Sequence, residues 1–375
     1  AASDVYKRQQ LVLVTDDPFK YPSSTQWPAG LTIRPREELD AVQRELAEIP
    51  GVTALIFDQT CAAEKRRRRK RGTYPDPDKR VIINELVCEG CGDCGVKSNC
   101  VSVVPVETEF GRKRAIDQSS CNKDFSCVNG FCPSFVSVEG GKLKKRRGKG
   151  DMPFPVLPEP TLPSVKTPYG ILVTGIGGTG VVTIGALLGM AAHIEGKGIA
   201  VLDQIGLAQK GGAVTTHVRI AEKAEDIHAV RIAAGGARAV IGCDLVVTGA
   251  FDSLAKMEAG KTNVVVNSHE TPTGDFASKP DLAFPSKSFL DSLAEAVGQG
   301  GLDALDASKI ATALLGDSIA ANSFMMGYAW QKGLIPLSRE AIEQAIELNA
   351  VAVDFNKQAF LWGRRAAHDL PLVLR

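Results

Sequence analysis

Seven of the chain's nine cysteines fall between Cys88 and Cys132, and their spacing is that of metal ligands. Cys88, Cys91 and Cys94 stand two residues apart, so three thiolates can point at three corners of one iron–sulfur cube. Cys100 follows after a longer gap. A second set runs CNKDFSCVNGFCP, in which Cys121 and Cys127 take the first and third places of such a triple. Asp124 holds the middle place, and Cys132 is followed by Pro133. The fourth corner of each cube must come from a distant cysteine, which crosses the two loops over. Cys88, Cys91, Cys94 and Cys132 are therefore assigned to one 4Fe–4S cluster. Cys100, Cys121 and Cys127 are assigned to a second, with Asp124 at its remaining iron. Gly90, Gly92 and Gly95 suit a loop that wraps closely and donates N–H groups to sulfide.

The bacterial two-cluster ferredoxin run, C-x2-C-x2-C-x3-C-P, has the same triple and the same C-P ending. Two departures stand out: five residues before Cys100 instead of three, and Asp124 where a thiolate is usual. The rival ligand set is zinc, since two cysteine pairs can hold a tetrahedral ion. A third cysteine two residues on, and seven in all, exceed what one zinc needs. An odd, clustered set without a secretory signal also argues against a disulfide scaffold. It points to a reducing compartment, so a cytoplasmic location is expected.

A second constellation is glycine-rich. Gly175, Gly177 and Gly180, with Gly178 between them, form G-x-G-G-x-G between an apolar run, ILVTG, and an apolar helical stretch. Asp203 ends the next apolar run, about where a ribose-binding acid would stand in a dinucleotide fold. The residues alone leave two readings open: a pyrophosphate site on a helix N-terminus, or glycines that only let a strand and helix pack tightly. GLAQKGGAV, which contains Gln209, Gly211 and Gly212, is a polar loop feeding a strand and looks built to approach a ligand or partner backbone.

These groups must be held by ordinary α/β elements. Leu11–Thr15 and Val52–Asp58 read as buried strands, with an amphipathic helix over Arg36–Ile49 and another over Thr60–Arg71. One βαβ unit is too little for a stable domain. The opening AASDVYKRQQ has no apolar core of a signal peptide, reads like a translated sequencing adaptor and lacks an initiator Met. The chain is therefore expected to begin inside a longer protein. After the cysteines, a basic run (KLKKRRGK) and the proline-rich stretch Met152–Pro168 form a linker. From Tyr169 the pattern is regular. It gives a helix over Gly180–Ile194 and strands at Ile199–Asp203, Ala213–Ile220, Leu245–Gly249 and Asn263–Asn267. Helices follow at Ala311–Ala320, Ser323–Lys332 and a long amphipathic stretch, Ser338–Arg364.

Apolar residues make up 44% and charged ones 23%, with a formal net charge of +1. No global field draws the molecule to nucleic acid or membrane, and no apolar run reaches the roughly 18 residues of a membrane span. The basic runs at Lys65–Arg71 and Lys142–Arg147 carry no aromatic interleaving and read as a helix end and a linker. None of the five histidines shows a paired carboxylate or ligand spacing in the sequence.

Taken together, VCEGCGDCGVKSNC, ETEFGRKRAIDQSSCNKDFSCVNGFCPSF, GILVTGIGGTGVVTIGALLGMAAHIEGKG and GLAQKGGAV resemble the long, single-chain indolepyruvate ferredoxin oxidoreductases. These belong to the 2-oxoacid:ferredoxin oxidoreductase superfamily. The resemblance implies four parts. Residues 11–72 would be the truncated end of a thiamine-diphosphate domain, residues 80–141 a ferredoxin-like iron–sulfur insert, and residues 142–168 a linker. Residues 169–366 would be a Rossmann-like, parallel-sheet gamma-type domain with C-terminal helices. It implies oxidative decarboxylation of an aryl-pyruvate to an aryl-acetyl-CoA, with electrons passing through 4Fe–4S clusters to ferredoxin. Thiamine diphosphate and Mg²⁺ would belong to the complete enzyme, since their G-D-G-type motif is absent here, and coenzyme A would be the co-substrate. Catalytic residues would lie mainly outside this chain, which is not expected to turn over alone. The expected partners are ferredoxin, the missing thiamine and pyrimidine domains, and further copies of the chain.

The resemblance also demotes nicotinamide binding at Gly175–Gly180 in favour of packing near the cofactor or the CoA path. Two rivals remain at this level: an NAD(P)H-linked iron–sulfur electron carrier, and a zinc-dependent binding module with basic arms.

Overall fold

The computed structural model describes residues 10–141, 154–206, 212–279 and 281–375. Contacts divide the chain into two units: residues up to Pro77 with Asn122–Asp124, and Asp78–Cys121 with Phe125–Arg375.

In the first unit, β1 (Gln10–Thr15), β2 (Leu31–Pro35) and β3 (Thr53–Asp58) form a parallel sheet in the order β2-β1-β3. Helix α1 (Leu39–Ala47) turns Val42 and Leu46 onto Val12 and Val14. The central strand is buried, as an apolar run flanked on both sides must be. Strand β3, expected to be buried, leaves Ile56 and Phe57 about half exposed. It is an edge strand, and α1 covers only one face of the sheet. In helix α2 (Ala62–Lys70) the basic run is partly tied down: Glu64 accepts from Arg67 at 3.5 Å and Arg68 at 3.3 Å.

The second unit opens with two antiparallel ladders: β4 (Lys79–Ile83) with β7 (Phe135–Glu139), and β5 (Val103–Thr108) with β6 (Gly111–Ile116). A short helix, α3 (Asp93–Ser98), lies between β4 and β5. Few apolar side chains are buried here, chiefly Val81, Ile83 and Val103.

The large sheet follows. Strands β8 (Tyr169–Ile176), β9 (Gly198–Ile205), β10 (Ala213–Ala221), β11 (Ala239–Gly242), β12 (Asn263–Asn267) and β13 (Leu302–Leu305) stand in the order β13-β12-β11-β8-β10-β9. Four of them, β8 and β11 to β13, are parallel neighbours. Strand β10 runs antiparallel to both β8 and β9, so the parallel sheet carries a reversed strand. Periodicity cannot report strand direction, because a buried strand reads the same either way.

Alternate residues of β8 feed two cores. Ile171 and Val173 face α4 (Val181–Ile194) and the C-terminal helices, while Leu172 faces the opposite layer. That layer contains α5 (Leu245–Thr248), α6 (Phe251–Leu254) and α8 (Ser286–Val297), with a further short helix, α7 (Asp275–Ser278), before α8. The run Leu245–Gly249, expected as a strand, is helical. The strand is the preceding β11, and the Asp244 carboxylate accepts the Val247 N–H at 2.9 Å, which starts a helix instead.

The C-terminal helices are α9 (Ala307–Leu315), α10 (Ala321–Gln331), α11 (Arg339–Asn349), α12 (Val353–His368) and α13 (Leu370–Leu374). The stretch expected as one helix from Ser338 to Arg364 breaks where Ala350 and Ala352 adopt left-handed conformations (φ 55° and 45°). Ser338 does cap α11, accepting the Ala341 N–H at 3.2 Å. Among the described residues no helix is long and apolar enough to cross a membrane.

Candidate functional site

The two ladders place the cysteines in two equivalent settings. Residues Asn84 and Asp117 each follow the end of a strand, β4 and β6 respectively. The Asn84 N–H donates to the Ser134 carbonyl at 2.8 Å, and the Asp117 N–H donates to the Ser102 carbonyl at 2.8 Å. Both serines are buried and stand just before β7 and β5. Four residues on, the Cys88 N–H returns to the Asn84 carbonyl at 2.9 Å and the Cys121 N–H to the Asp117 carbonyl at 3.1 Å. Each carboxylate or amide side chain also accepts the N–H two residues ahead, Leu86 at 3.1 Å and Ser119 at 2.9 Å. One half thus brings the Cys88 loop beside the strand entered from Cys132. The other brings the Cys121 loop beside the strand entered from Cys100.

These are pairings of backbone segments: Cys88 with the strand after Cys132, and Cys121 with the strand after Cys100. Cys88 is buried, Cys91 exposed and Cys94 half-buried. Burial pushes the Cys94 thiol up, the buried Arg114 guanidinium pulls it down, and Cys88 and Cys91 are near enough to push it up further. Gly90 sits at φ +76° with its missing Cβ 2.2 Å from the Arg112 carbonyl oxygen, so the loop lies directly on β6. Only glycine fits there. The four donors assigned to the first group are all thiols, the chemistry that an iron–sulfur group takes. As placed, and among the described residues, no three His, Cys, Asp or Glu side chains are gathered tightly enough to hold a metal ion. Asp124 groups with the first unit.

The glycine loop joins β8 to α4. Gly180 adopts φ +103° and leads into the helix, and Gly177 donates to the Gly212 carbonyl at 2.7 Å. The two glycine-rich segments read from the sequence therefore meet, at least through Gly212; Gln209 and Gly211 lie outside the described residues. A cavity of about 250 Å³ opens among Ile176, Gly177, Gly178, Gly180, Val181 and Val214. Asn322 of α10 supports the loop from behind, donating to the Thr179 carbonyl at 3.1 Å. Gly175 is a packing glycine: its missing Cβ would stand 2.6 Å from Val181 Cγ2 and 3.0 Å from Cys243 Cβ.

A dinucleotide reading needs an acid at the tip of the strand beside β8. Here β10 intervenes between β8 and β9, and Asp203 on β9 accepts the Thr216 hydroxyl at 2.6 Å. Titration with NADH is accordingly expected to show no micromolar site, which would correspond to about −8 kcal/mol. Gly175→Ala should instead lower stability by about 1–3 kcal/mol through overpacking. Tight NADH binding that Gly175→Ala abolishes would overturn both statements.

Sequence reading missed one pair. His269, just past β12, meets Asp306, just past β13, with Nδ1 3.1 Å from Oδ1. The hydrogen bond to Asp306 raises the His269 pKa above its ordinary value. No local pattern could have revealed a pairing between two separate strand ends. His217, by contrast, is buried in β10. Its Nδ1 accepts the Ile232 N–H at 3.1 Å, and Nε2 lies 3.0 Å from Gln204 Oε1. Burial lowers its pKa to about 4. With the folded value depressed, its contribution to stability is present above about 6.5 and is lost as pH falls toward 4. Thermal melts between those pH values should show a loss that is smaller in His217→Gln; equal slopes would remove His217 as the cause. Burial also pushes the Cys243 thiol up to about 12, so it is an inert core residue.

A family model described as pyruvate ferredoxin/flavodoxin oxidoreductase matches residues 170–366. The indolepyruvate oxidoreductase subunit IorB of Pyrococcus horikoshii is 29% identical over 205 residues, covering 54% of this chain and 97% of that protein. The subunit of the same name from Thermococcus kodakarensis is 28% identical over 205 residues, covering 54% and 97%. Among solved structures, the pyruvate oxidoreductase subunit PORC of Thermotoga maritima is similar over 53% of this chain and 96% of its own, at 21% identity and a TM-score of 0.39.

Proposed function

The chain belongs to the pyruvate ferredoxin/flavodoxin oxidoreductase family through residues 170–366, and from that premise we propose that it is the electron-exit part of an aryl-pyruvate, specifically indolepyruvate, ferredoxin oxidoreductase. The complete enzyme oxidatively decarboxylates an aryl 2-oxoacid and releases an aryl-acetyl-CoA. In this reading residues 11–72 close a thiamine-diphosphate domain, residues 80–141 form the iron–sulfur domain, residues 142–168 link, and residues 169–366 form the gamma-type domain. Thiamine diphosphate, Mg²⁺ and the pyrimidine domain belong to the remainder of the enzyme. Ferredoxin accepts the electrons, and the assembly contains further copies of the chain.

One observation carries the electron-transfer reading: the duplicated setting of the cysteines. The same three hydrogen bonds recur around Asn84–Cys88 and Asp117–Cys121. Each ladder then joins a leading cysteine loop to the strand entered from the other set's last cysteine. A single zinc ion would need one such setting, not two. When bound, a 4Fe–4S cluster takes up and passes on single electrons. The chain's own residues hold the position. Cys88, Cys91, Cys94 and Cys132 serve one group, and Cys100, Cys121 and Cys127 the other. Asp124 joins the second set on its place in the sequence alone. The glycine loop, with Gly175, Gly177, Gly178, Gly180 and Gly212, shapes the wall that faces the cofactor or the CoA path.

Anaerobically purified protein is expected to contain iron and acid-labile sulfide, with more iron than a single cluster holds. One zinc per chain without sulfide would end this reading.

A further inference from the structure

At the other end of the large sheet, remote from the glycine loop, a cleft of about 400 Å³ opens between the segment entering β8, strand β10 and the loop after it. Its polar lining is Lys166, Thr167, Arg219, Asp226 and His228. Arg219 stands opposite Gly170 of β8 in the ladder, so strand rise alone puts it about 20 Å from Gly177.

Arg219 is the unusual member. Its Nε is buried and has no hydrogen-bond partner, and among the described residues its side chain makes no ion pair. Arg219 as a whole is half-buried, and its strand neighbours Val218 and Ile220, which are fully buried, point to the opposite face of the sheet. A buried donor without an acceptor is costly, and here two further basic side chains, Lys166 and His228, line the same space. Asp226 lines the same cleft without accepting from Arg219 Nε; its carboxylate accepts the Lys223 N–H at 3.3 Å. An anion would supply the missing acceptor. A guanidinium fork matches a phosphate in bidentate fashion, and an ammonium group adds a second contact as a point charge. The cleft is larger than a bare phosphate, and an acid at its rim repels an anion unless the ligand also presents hydroxyl donors to it.

We propose that this cleft binds the phosphate monoester of a small hydroxylated molecule, with Arg219 and Lys166 on the phosphate and Asp226 on a hydroxyl. The site lies away from the glycine loop, and the proposal does not depend on the cysteines.

The full-length protein should bind ribose 5-phosphate in isothermal titration calorimetry, bind inorganic phosphate more weakly, and not bind ribose. Arg219→Gln should weaken ribose 5-phosphate binding at least tenfold. Lys166→Gln, a change at an exposed side chain, should weaken it several-fold with an unchanged circular dichroism spectrum. Absence of binding by the wild type overturns the proposal, as does equal affinity for inorganic phosphate. If Arg219→Gln does not fold, the decision passes to Lys166→Gln, whose unaltered affinity would overturn the assignment.

Discussion

Replacing Cys88 by alanine is expected to remove one cluster and to unfold the segment between Asp78 and Glu139, while the large sheet behind it stays folded. The reason is the shortage of core. Val81, Ile83 and Val103 are the main buried apolar side chains of that segment, and they belong to no larger apolar cluster. Full burial of such a side chain is worth about 1.5–3 kcal/mol, against about 1–2 kcal/mol of backbone entropy for every residue ordered. Two-stranded ladders are marginal by themselves. In the function proposed above, an iron–sulfur cluster would supply what the core lacks, as metal does in other small metal-stapled domains.

Cys88 is the most enclosed of the seven cysteines between Cys88 and Cys132, 8% exposed, and its own N–H closes the turn from Asn84. The variant should retain roughly half the iron of the wild type if each cluster is lost independently. Hydrogen exchange should become fast across residues 79–139 and stay slow in β8, β11 and β12, whose residues Ile171, Val240 and Val266 are fully buried. Wild-type iron content with unchanged exchange would remove Cys88 from the ligand set.

How much of this was legible beforehand depended on whether the information was local. The C-x2-C-x2-C spacing is local, whereas the meeting of the Cys88 loop with the strand after Cys132 depends on the pairing of β4 with β7. The glycine loop was equally plain, because a strand, three glycines and an apolar helix are contiguous. Strand β12 matches its expected bounds, Asn263–Asn267, since an isolated apolar run between polar turns leaves few alternatives. Leu245–Gly249 failed for the opposite reason. Two short apolar runs lie side by side, and only the capping carboxylate of Asp244 decides which becomes helix. The reversed direction of β10 and the meeting of His269 with Asp306 are tertiary facts with no counterpart in a window of sequence. The reversed strand matters most for function. By separating β9 from β8 it removes Asp203 from the place where a ribose-binding acid would act.

The helix pair behind the glycine loop gives the second large effect. Helices α10 and α12 cross backbone to backbone. The missing Cβ of Gly327 would stand 2.0 Å from the Phe360 carbonyl oxygen, and that of Gly363 would stand 1.9 Å from the Phe324 carbonyl oxygen. Neither obstacle is a side chain that can swing away. Alanine at either position must therefore push the helices apart by more than an ångström to reach ordinary contact. The separation would open the packing of Phe324, Trp330 and Phe360, all of which are fully buried. Overpacking usually costs about 1–3 kcal/mol, and backbone obstacles put Gly363→Ala at or above the upper end.

For a domain of about 200 residues each kcal/mol lowers Tm by about 2–4 °C, so a fall of roughly 10 °C is expected. Leu361→Ala, on the outer side of the same helix and 36% exposed, should move Tm far less. The displacement should also reach the glycine loop, because α10 carries Asn322, which holds the Thr179 carbonyl. Hydrogen exchange at residues 177–181 should accelerate in Gly363→Ala and not in Leu361→Ala. Equal melting temperatures for the two variants would show that the crossing is softer than its carbonyl contacts require.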